Sequence, residues 1–127
     1  MTQQTQQTLQ TQKTQGTLAA RPKVLAAIPC FNEQNFIGDV VTRARKYVDK
    51  VIVIDDGSTD DTAKVAHAAG AEVIRHEARK GAGAATKSGF EAAKRSNADI
   101  LVTLDGDGQH NPDDIPELLA PILNGEA

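Results

Sequence analysis

The 127-residue sequence has few of the residues on which several protein classes depend. Its single cysteine, Cys30, excludes an intramolecular disulfide and fits a reducing compartment. Aromatic residues make up 3% of the chain and tryptophan is absent, which argues against a stacking platform for single-stranded nucleic acid. Lys and Arg number 14 against 17 Asp and Glu, so the net charge of −3 offers no broadly basic surface for nucleic acid.

Long apolar runs are absent as well. No stretch approaches the roughly 18 apolar residues that cross a bilayer, and no apolar signal core follows the N-terminus. We therefore expect a cytoplasmic protein with no membrane span in this chain. Hydrophobic residues, at 39%, are sufficient for a folded core, which must be aliphatic.

The start of the chain differs in composition from the rest. Gln and Thr dominate residues 1–22, and Lys13 is the only charged residue among the first 20. Such a segment cannot bury enough apolar surface to offset the entropy lost on ordering. The sequence thus predicts a disordered tail at residues 1–22 and one domain at residues 23–127.

Short β-branched runs alternate with longer segments of helical spacing in this domain. The runs predict strands at residues 23–28, 51–54, 71–75 and 100–104. The other segments predict helices at residues 37–48, 58–69, 84–96 and 115–122. A capping box of Ser58 and Asp61 starts the second helix, and two prolines shorten or kink the last. This alternation is typical of a three-layer α/β fold with a mostly parallel sheet and helical crossovers.

Polar segments follow three of the predicted strands, where open parallel sheets bind their ligands. They are Pro29-Cys30-Phe31-Asn32-Glu33, Asp55-Asp56-Gly57-Ser58 and Asp105-Gly106-Asp107-Gly108-Gln109-His110. Five carboxylates therefore meet at one edge of the sheet. Clustered carboxylates repel one another unless a cation or hydrogen-bond donors satisfy them. The pattern predicts either a site for a hard metal ion or a solvated acidic edge, and the glycines would let a metal-bound phosphate approach closely.

Segments of this domain approach three known motifs. A calcium-binding loop starting at Asp105 is excluded, because its sixth and twelfth positions are His and Pro where Gly and Glu are required. Residues 81–86 approach a dinucleotide-binding fingerprint, but Thr86 replaces its third glycine and the segment follows the third strand instead of the first. An aspartyl phosphotransferase with Asp105 as its nucleophile stays an alternative, although Gln109 stands where such enzymes carry Thr.

The order of the segments resembles that of a known family. Residues 28–33 are similar to the opening Pro-x-Tyr-Asn-Glu of family 2 glycosyltransferases, and residues 55–62 to their Asp-Asp-Gly-Ser-Thr-Asp-x-Thr. Residues 81–90 resemble their glycine loop and the helix after it, and residues 105–112 their Asp-x-Asp motif. The Gly-Gln-His-x-Pro that ends this last segment is most similar to polyprenyl-phosphate sugar synthases of the dolichyl-phosphate mannose synthase type. The resemblance covers residues 23–123 and implies the inverting glycosyltransferase A fold.

The resemblance also implies roles for individual residues. The substrate-binding residues would be Pro29, Phe31, Glu33, Ile54, Asp55, Asp56, Asp105 and Gly106. The ligands of a Mg²⁺ or Mn²⁺ ion on the diphosphate would be Asp105, Asp107 and Gln109. The ion would stabilise the charge on the departing nucleoside diphosphate. Two positions depart from the usual family pattern, since Phe31 replaces Tyr and Ala82 stands where many members carry Lys.

Other polar residues are given structural interpretations. The three histidines, His67, His76 and His110, are interpreted as exposed rather than catalytic. Arg79 and Lys80, beside the glycine loop, are interpreted as solvated charges, although both could reach a phosphate.

The resemblance implies a GDP- or UDP-sugar as donor and a polyprenyl phosphate as acceptor, at the cytoplasmic face of a membrane. Because the chain stops soon after the Asp-x-Asp motif, we expect a truncated, donor-binding half whose catalytic base, if any, lies beyond residue 127. A catalytically inactive nucleotide- and metal-binding fragment is the alternative. Missing strands would leave one side of the sheet open and favour self-association.

Overall fold

A computed structural model describes residues 10–13 and 22–125 of the chain. Its strands are β1 (Gln10–Lys13), β2 (Val24–Cys30), β3 (Lys50–Asp55), β4 (Glu72–Arg75) and β5 (Ile100–Thr103). They form one sheet in the order β1-β5-β2-β3-β4, in which β2, β3, β4 and β5 are parallel and β1 is antiparallel to β5. The mostly parallel sheet predicted from the sequence is thereby confirmed.

Helices cover both faces of the sheet. They are α1 (Ile37–Ala44), α2 (Thr62–Ala68), α3 (Ala82–Arg95) and α4 (Ile115–Leu123), with a 3₁₀ turn at Pro112–Asp114 before α4. Successive residues of β2 alternate between two apolar cores, so Leu25 packs on the α3 side and Ala26 on the side of α1, α2 and α4. The result is the three-layer arrangement predicted from the sequence. None of these described helices combines the length and the hydropathy needed to cross a bilayer.

The first helix is shorter than predicted, and the last helix has the short form that its prolines predict. α1 ends at Ala44 instead of residue 48. The backbone N–H groups of Lys46 and Tyr47 donate to the Arg43 and Ala44 carbonyls over 3.2 and 3.0 Å, so the chain tightens into 3₁₀-type turns. α4 is short, at nine residues, and accepts Pro116 because the first helical turn needs no N–H donor there.

The strand β1 lies in the segment predicted to be a disordered tail. Gln10 pairs with Thr103 and Lys13 with Ile100 at the outer side of β5. The prediction is therefore wrong for residues 10–13, while residues 1–9 and 14–21 lie outside the described part of the chain. β1 also covers the outer edge of β5. A polar strand can form here because pairing of its backbone groups requires no apolar periodicity.

Gly89 in α3 lies so close to the sheet that a methyl group has no room. A Cβ on Gly89 would lie 2.9 Å from the Ala27 Cβ and 3.2 Å from the Ile54 Cδ1, whereas a Cβ on Gly83 would meet nothing within 4 Å. Gly89→Ala should lower the free energy of unfolding by about 1–3 kcal/mol, as overpacking does. Gly83→Ala, the control in the same helix, should raise it by up to about 1 kcal/mol because alanine is the better helix former. Urea denaturation measures both, and an unchanged stability of Gly89→Ala would contradict the packing.

Candidate functional site

An open pocket lies at the edge of the sheet where β2, β3 and β5 end. It has a volume of about 270 Å³ and is lined by Pro29, Cys30, Phe31, Glu33, Asp56, Arg79, Ala82, Ala85, Asp105, Gly106 and Asp107. The parallel register brings these segments together, because Cys30 pairs with Asp55 and Ala27 with Thr103 in the neighbouring strands. Seven of the ten predicted site residues line this pocket.

The remaining three, Ile54, Asp55 and Gln109, do not line it. Ile54 is fully buried in the core beneath α3, and Asp55 is fully buried at the end of β3. Gln109 is exposed, and its backbone N–H donates to the Asp107 Oδ1 over 2.9 Å. Side chains alternate between the faces of a strand, so successive residues at the end of β3 cannot all reach one pocket.

The loop after β2 is tied to the turn after β3. Asn32 has a φ of 53°, in the left-handed region that asparagine tolerates. Its backbone N–H donates to the Ser58 Oγ over 2.8 Å, and its side-chain Oδ1 accepts from the Thr59 N–H over 2.9 Å. The Glu33 N–H donates to the Thr62 Oγ1 over 2.9 Å. Ser58 therefore bonds Asn32 and does not cap α2, which begins at Thr62 without a side-chain cap, so the predicted capping box is wrong.

Asp55 stabilises this turn from below. Its Oδ1 accepts from the Ser58 N–H over 2.9 Å. Its Oδ2 is buried without a hydrogen-bond partner and lies 3.9 Å from the Arg75 Nε. The Arg75 guanidinium also donates to the Ser58 carbonyl over 2.8 Å, so it ties β4 to the same turn. Asp55 is thus built into the support of the pocket.

Asp56 is the carboxylate that the turn after β3 presents to the pocket. It accepts three hydrogen bonds of 2.8 Å, from the His76 Nδ1 and from the Lys80 and Gly81 N–H groups. Burial favours the protonated form, but these hydrogen bonds outweigh it and hold the pKa of Asp56 below its ordinary value. Asp56 is therefore an anionic acceptor in the wall of the pocket.

Sequence reasoning missed two residues that support the site. His76, expected to be exposed, is 8% exposed and bonds Asp56, so that interpretation is wrong. Arg79, expected to be a solvated charge, lines the pocket with its guanidinium carbon 3.9 Å from the centre of the Phe31 ring. At this distance the charge is attracted to the face of the ring. Only the position of Arg79 beside the glycine loop could have signalled this contact.

Glu33, Asp105 and Asp107 form the acidic wall of the pocket. Burial raises the pKa of Glu33, and the negative charges of Asp107, Asp105 and Asp60 raise it further. Such mutual repulsion is relieved when a cation binds between the carboxylates. Within the described residues, no three His, Cys, Asp or Glu side chains are arranged to hold a metal ion by themselves. A cation at the acidic wall would therefore take its other oxygen ligands from water or from a phosphate, as Mg²⁺ usually does.

The loop that carries Asp105 and Asp107 packs tightly on β2. A Cβ on Gly106 would lie 2.8 Å from the Cys30 Cβ and 3.2 Å from the Ile37 Cδ1. The Asp105 N–H donates to the His110 Nδ1 over 2.9 Å, which closes the loop. Gly106 thus allows the loop to lie against the core, a role that the sequence analysis does not assign to it.

Cys30 also faces the pocket but is chemically quiet. Burial raises the pKa of its thiol to about 12, helped by the negative charges of Asp55, Glu33 and Asp60. The thiolate is the nucleophilic form of cysteine, so a neutral Cys30 does not serve as a nucleophile near pH 7.

The fold is shared with known proteins. The profile of glycosyl transferase family 2 matches residues 26–127. The chain belongs to glycosyl transferase family 2. A relative from Methanococcus voltae, a UDP-N-acetylglucosamine--dolichyl-phosphate N-acetylglucosaminyltransferase, is 38% identical in an alignment 115 residues long that covers 76% of this chain and 46% of the relative. An undecaprenyl-phosphate mannosyltransferase from Micrococcus luteus is 34% identical in an alignment 111 residues long that covers 82% of this chain and 46% of that protein.

A solved structure at more than 30% identity has the same fold. Glucosyl-3-phosphoglycerate synthase from Mycobacterium tuberculosis, in a complex with Mn²⁺, uridine diphosphate and glucosyl-3-phosphoglycerate, superposes with a TM-score of 0.71 at 34% identity. The match covers 84% of this chain and 42% of the synthase. The same enzyme is also known with Mg²⁺ and uridine diphosphate. The chain spans less than half the length of each of these proteins.

The acidic wall predicts a measurable coupling between its carboxylates. Asp107→Asn removes a negative charge that faces Glu33, so the pKa of Glu33 should fall, although burial should keep it above its ordinary value. NMR titration of the Glu33 side-chain carboxyl carbon measures this pKa. Asp114→Asn, in the exposed turn before α4, is the control and should leave Glu33 unchanged. An identical pKa of Glu33 in the wild type and in Asp107→Asn would refute the coupling.

Proposed function

We propose that this chain is the donor-binding part of a glycosyltransferase and binds a nucleoside diphosphate sugar together with a divalent cation. The observation that carries the proposal is the meeting of Phe31, Asp56, Asp105 and Asp107 in one pocket. An aromatic ring and a buried anionic acceptor suit a nucleoside, and neighbouring carboxylates suit a cation on its diphosphate. Family membership leaves the aspartyl phosphotransferase alternative without support.

Uridine diphosphate is the nucleotide we favour. Glucosyl-3-phosphoglycerate synthase, which shares this fold at 34% identity, binds uridine diphosphate in its crystals. The M. voltae relative is named for a UDP-sugar. The pocket, at about 270 Å³, is close to the lower end of the ~300–1,000 Å³ typical of small-molecule sites.

The acidic wall fits a Mg²⁺ or Mn²⁺ ion shared with the donor diphosphate. Its carboxylate oxygens are the hard ligands that these ions prefer. Burial raises the pKa of Glu33, and the negative charges of Asp107 and Asp105 raise it further. Asp105 and Asp107 would hold the ion, whereas Gln109 is exposed outside the pocket lining. When bound, such an ion neutralises charge on the leaving diphosphate.

The residues of this chain would bind and orient the donor. Phe31, with Arg79 against its ring, offers an apolar face to the base, and Asp56 accepts an N–H or hydroxyl hydrogen bond. Glu33 is placed to accept from the ribose or the base. In an inverting transfer, an acceptor oxygen forms the new bond to the anomeric carbon as the bond to the diphosphate breaks.

We propose a polyprenyl phosphate as the acceptor, at the cytoplasmic face of a membrane. Two relatives are named for dolichyl phosphate and undecaprenyl phosphate. An acceptor phosphate is already anionic near pH 7, so it needs positioning more than deprotonation. This choice would require no strong base in the pocket.

Uridine diphosphate should bind at least about tenfold more tightly with Mn²⁺ than with a chelator, which corresponds to about 1.4 kcal/mol. The reason is that Mn²⁺ offsets the repulsion between the diphosphate and the acidic wall. Isothermal titration calorimetry on the full chain measures both affinities. Equal affinities in the two conditions would rule out the assigned cation site.

Asp107→Asn should keep the fold and lose most of the Mn²⁺-dependent gain in affinity, because a neutral amide replaces an anionic ligand. Circular dichroism checks the fold, and the same titration checks binding. Asp114→Asn removes an equal charge at an exposed position outside the pocket lining and should bind as the wild type does. If Asp107→Asn kept the whole Mn²⁺-dependent gain in affinity, Asp107 would not be a ligand of the cation.

A further inference from the structure

A buried chain of hydrogen bonds runs from the pocket into α3. The Asp56 Oδ1 lies 2.8 Å from the His76 Nδ1, and the His76 Nε2 lies 3.0 Å from the Ser88 Oγ. Asp56 is 4% exposed and His76 8% exposed. Asp56 lines the pocket, whereas His76 and Ser88 do not, so His76 can affect a ligand only through the pocket residues that it holds in place.

The carboxylate of Asp56 has one acceptor position left. Its Oδ1 accepts from His76 and from the Lys80 N–H, and its Oδ2 accepts from the Gly81 N–H. A carboxylate oxygen has two acceptor positions, so Oδ1 is filled and Oδ2 retains one. Among the described residues, His76 provides the only side-chain hydrogen bond to Asp56. Its donation fixes the orientation of the carboxylate together with the Lys80 and Gly81 N–H groups.

The protonation of the ring follows from its neighbours. Because Asp56 is held as a carboxylate, the His76 Nδ1 must carry the proton that it donates. In the neutral ring the Ser88 hydroxyl donates to Nε2, and in the charged ring Nε2 donates to the Ser88 Oγ. The chain of hydrogen bonds is thus satisfied in both states.

The same residues hold the loop that carries Arg79. The backbone N–H of His76 donates to the backbone carbonyl of Asp55 over 2.9 Å, a bond that does not depend on the imidazole. A Cβ on Gly57 would lie 2.7 Å from the backbone nitrogen of Arg79, so the loop lies directly on the turn after β3. With Lys80 and Gly81 also donating to Asp56, the loop is fastened on both sides of Arg79.

We propose that His76 is a positioning residue for nucleotide recognition, which fixes the free Oδ2 acceptor of Asp56 toward a base N–H and holds Arg79 against Phe31. The proposal rests on the proposed function, since it needs Asp56 to contact the nucleoside. Uracil presents its N3–H to such an acceptor, whereas the N3 lone pair of cytosine is repelled by a carboxylate. His76 thereby contributes to a preference for UDP over CDP.

Four variants separate donation from packing. His76→Asn keeps an amide N–H near the Nδ1 position and should still donate to Asp56. His76→Leu keeps much of the volume without a donor, and His76→Gln moves the amide toward Ser88 and away from Asp56. His67→Leu replaces the exposed histidine of α2 and is the control.

The first measurement needs no ligand. Hydrogen exchange of the Lys80 and Gly81 amides, followed by NMR on the full chain, should become about tenfold faster in His76→Leu, the loss expected when one hydrogen bond to a charged group is removed. His76→Asn should exchange at close to the wild-type rate. Unchanged exchange in His76→Leu would overturn the hold of His76 on the loop.

The second measurement is titration with UDP and with CDP in the presence of Mn²⁺. His76→Leu and His76→Gln should bind UDP about tenfold more weakly and lose most of the UDP preference, as expected for a misplaced charged acceptor. His76→Asn should restore both, and His67→Leu should match the wild type. If His76→Leu does not fold, the comparison of His76→Asn with His76→Gln decides.

The outcomes distinguish this inference from the proposed function. If the wild type binds neither nucleotide, the proposed function fails, and the role of His76 in recognition fails with it. If the wild type binds UDP and His76→Leu binds equally well, the inference is overturned while the proposed function stands. Equal losses in His76→Asn and His76→Leu would make His76 a packing residue and would also overturn it.

Discussion

The buried carboxylates at the end of β3 are the constraint on which the ligand-binding edge depends. Burial of a carboxylate is costly unless hydrogen bonds compensate it, and backbone N–H groups donate to both of these carboxylates. Asp55 shapes the turn to Ser58, whose hydroxyl then holds the loop after β2 at Asn32. Asp56 holds the loop after β4 by accepting hydrogen bonds from the Lys80 and Gly81 N–H groups. Segments from three βα units are thus fastened to one turn, and the pocket between them follows from those bonds.

The two kinds of carboxylate in the pocket have opposite environments. Hydrogen bonds outweigh burial at Asp56 and lower its pKa, whereas burial and three like charges raise the pKa of Glu33. Asp56 is therefore already compensated by the protein, and the acidic wall is not. A cation brought by a ligand would therefore bind most favourably at the acidic wall, whereas an uncharged N–H or hydroxyl group would bind favourably at Asp56. This separation is what a nucleoside joined to a metal-bound diphosphate would require.

The sequence was sufficient for the parallel strands and for most of the pocket, because apolar periodicity marks the strands and the motifs follow their carboxyl ends. The sequence-based predictions failed where backbone pairing or a partner distant in the sequence determines the structure. β1 forms from a polar segment by pairing with β5. Ser58 has the spacing of a helix cap, but it bonds Asn32, 26 residues away in sequence. The motif does not distinguish Asp55 from Asp56. The structure shows that Asp56 lines the pocket, whereas Asp55 is buried beneath it.

Each aspartate motif contains a glycine for a steric reason that the motif itself does not reveal. A Cβ on Gly57 would lie 2.7 Å from the backbone nitrogen of Arg79. The φ of Gly57 is 83°, a conformation that residues with a side chain rarely adopt. A Cβ on Gly106 would lie 2.8 Å from the Cys30 Cβ. In both places another segment occupies the space where a side chain would be. The carboxylates serve the pocket, and the adjoining glycines let the neighbouring loop or strand approach closely enough to close it.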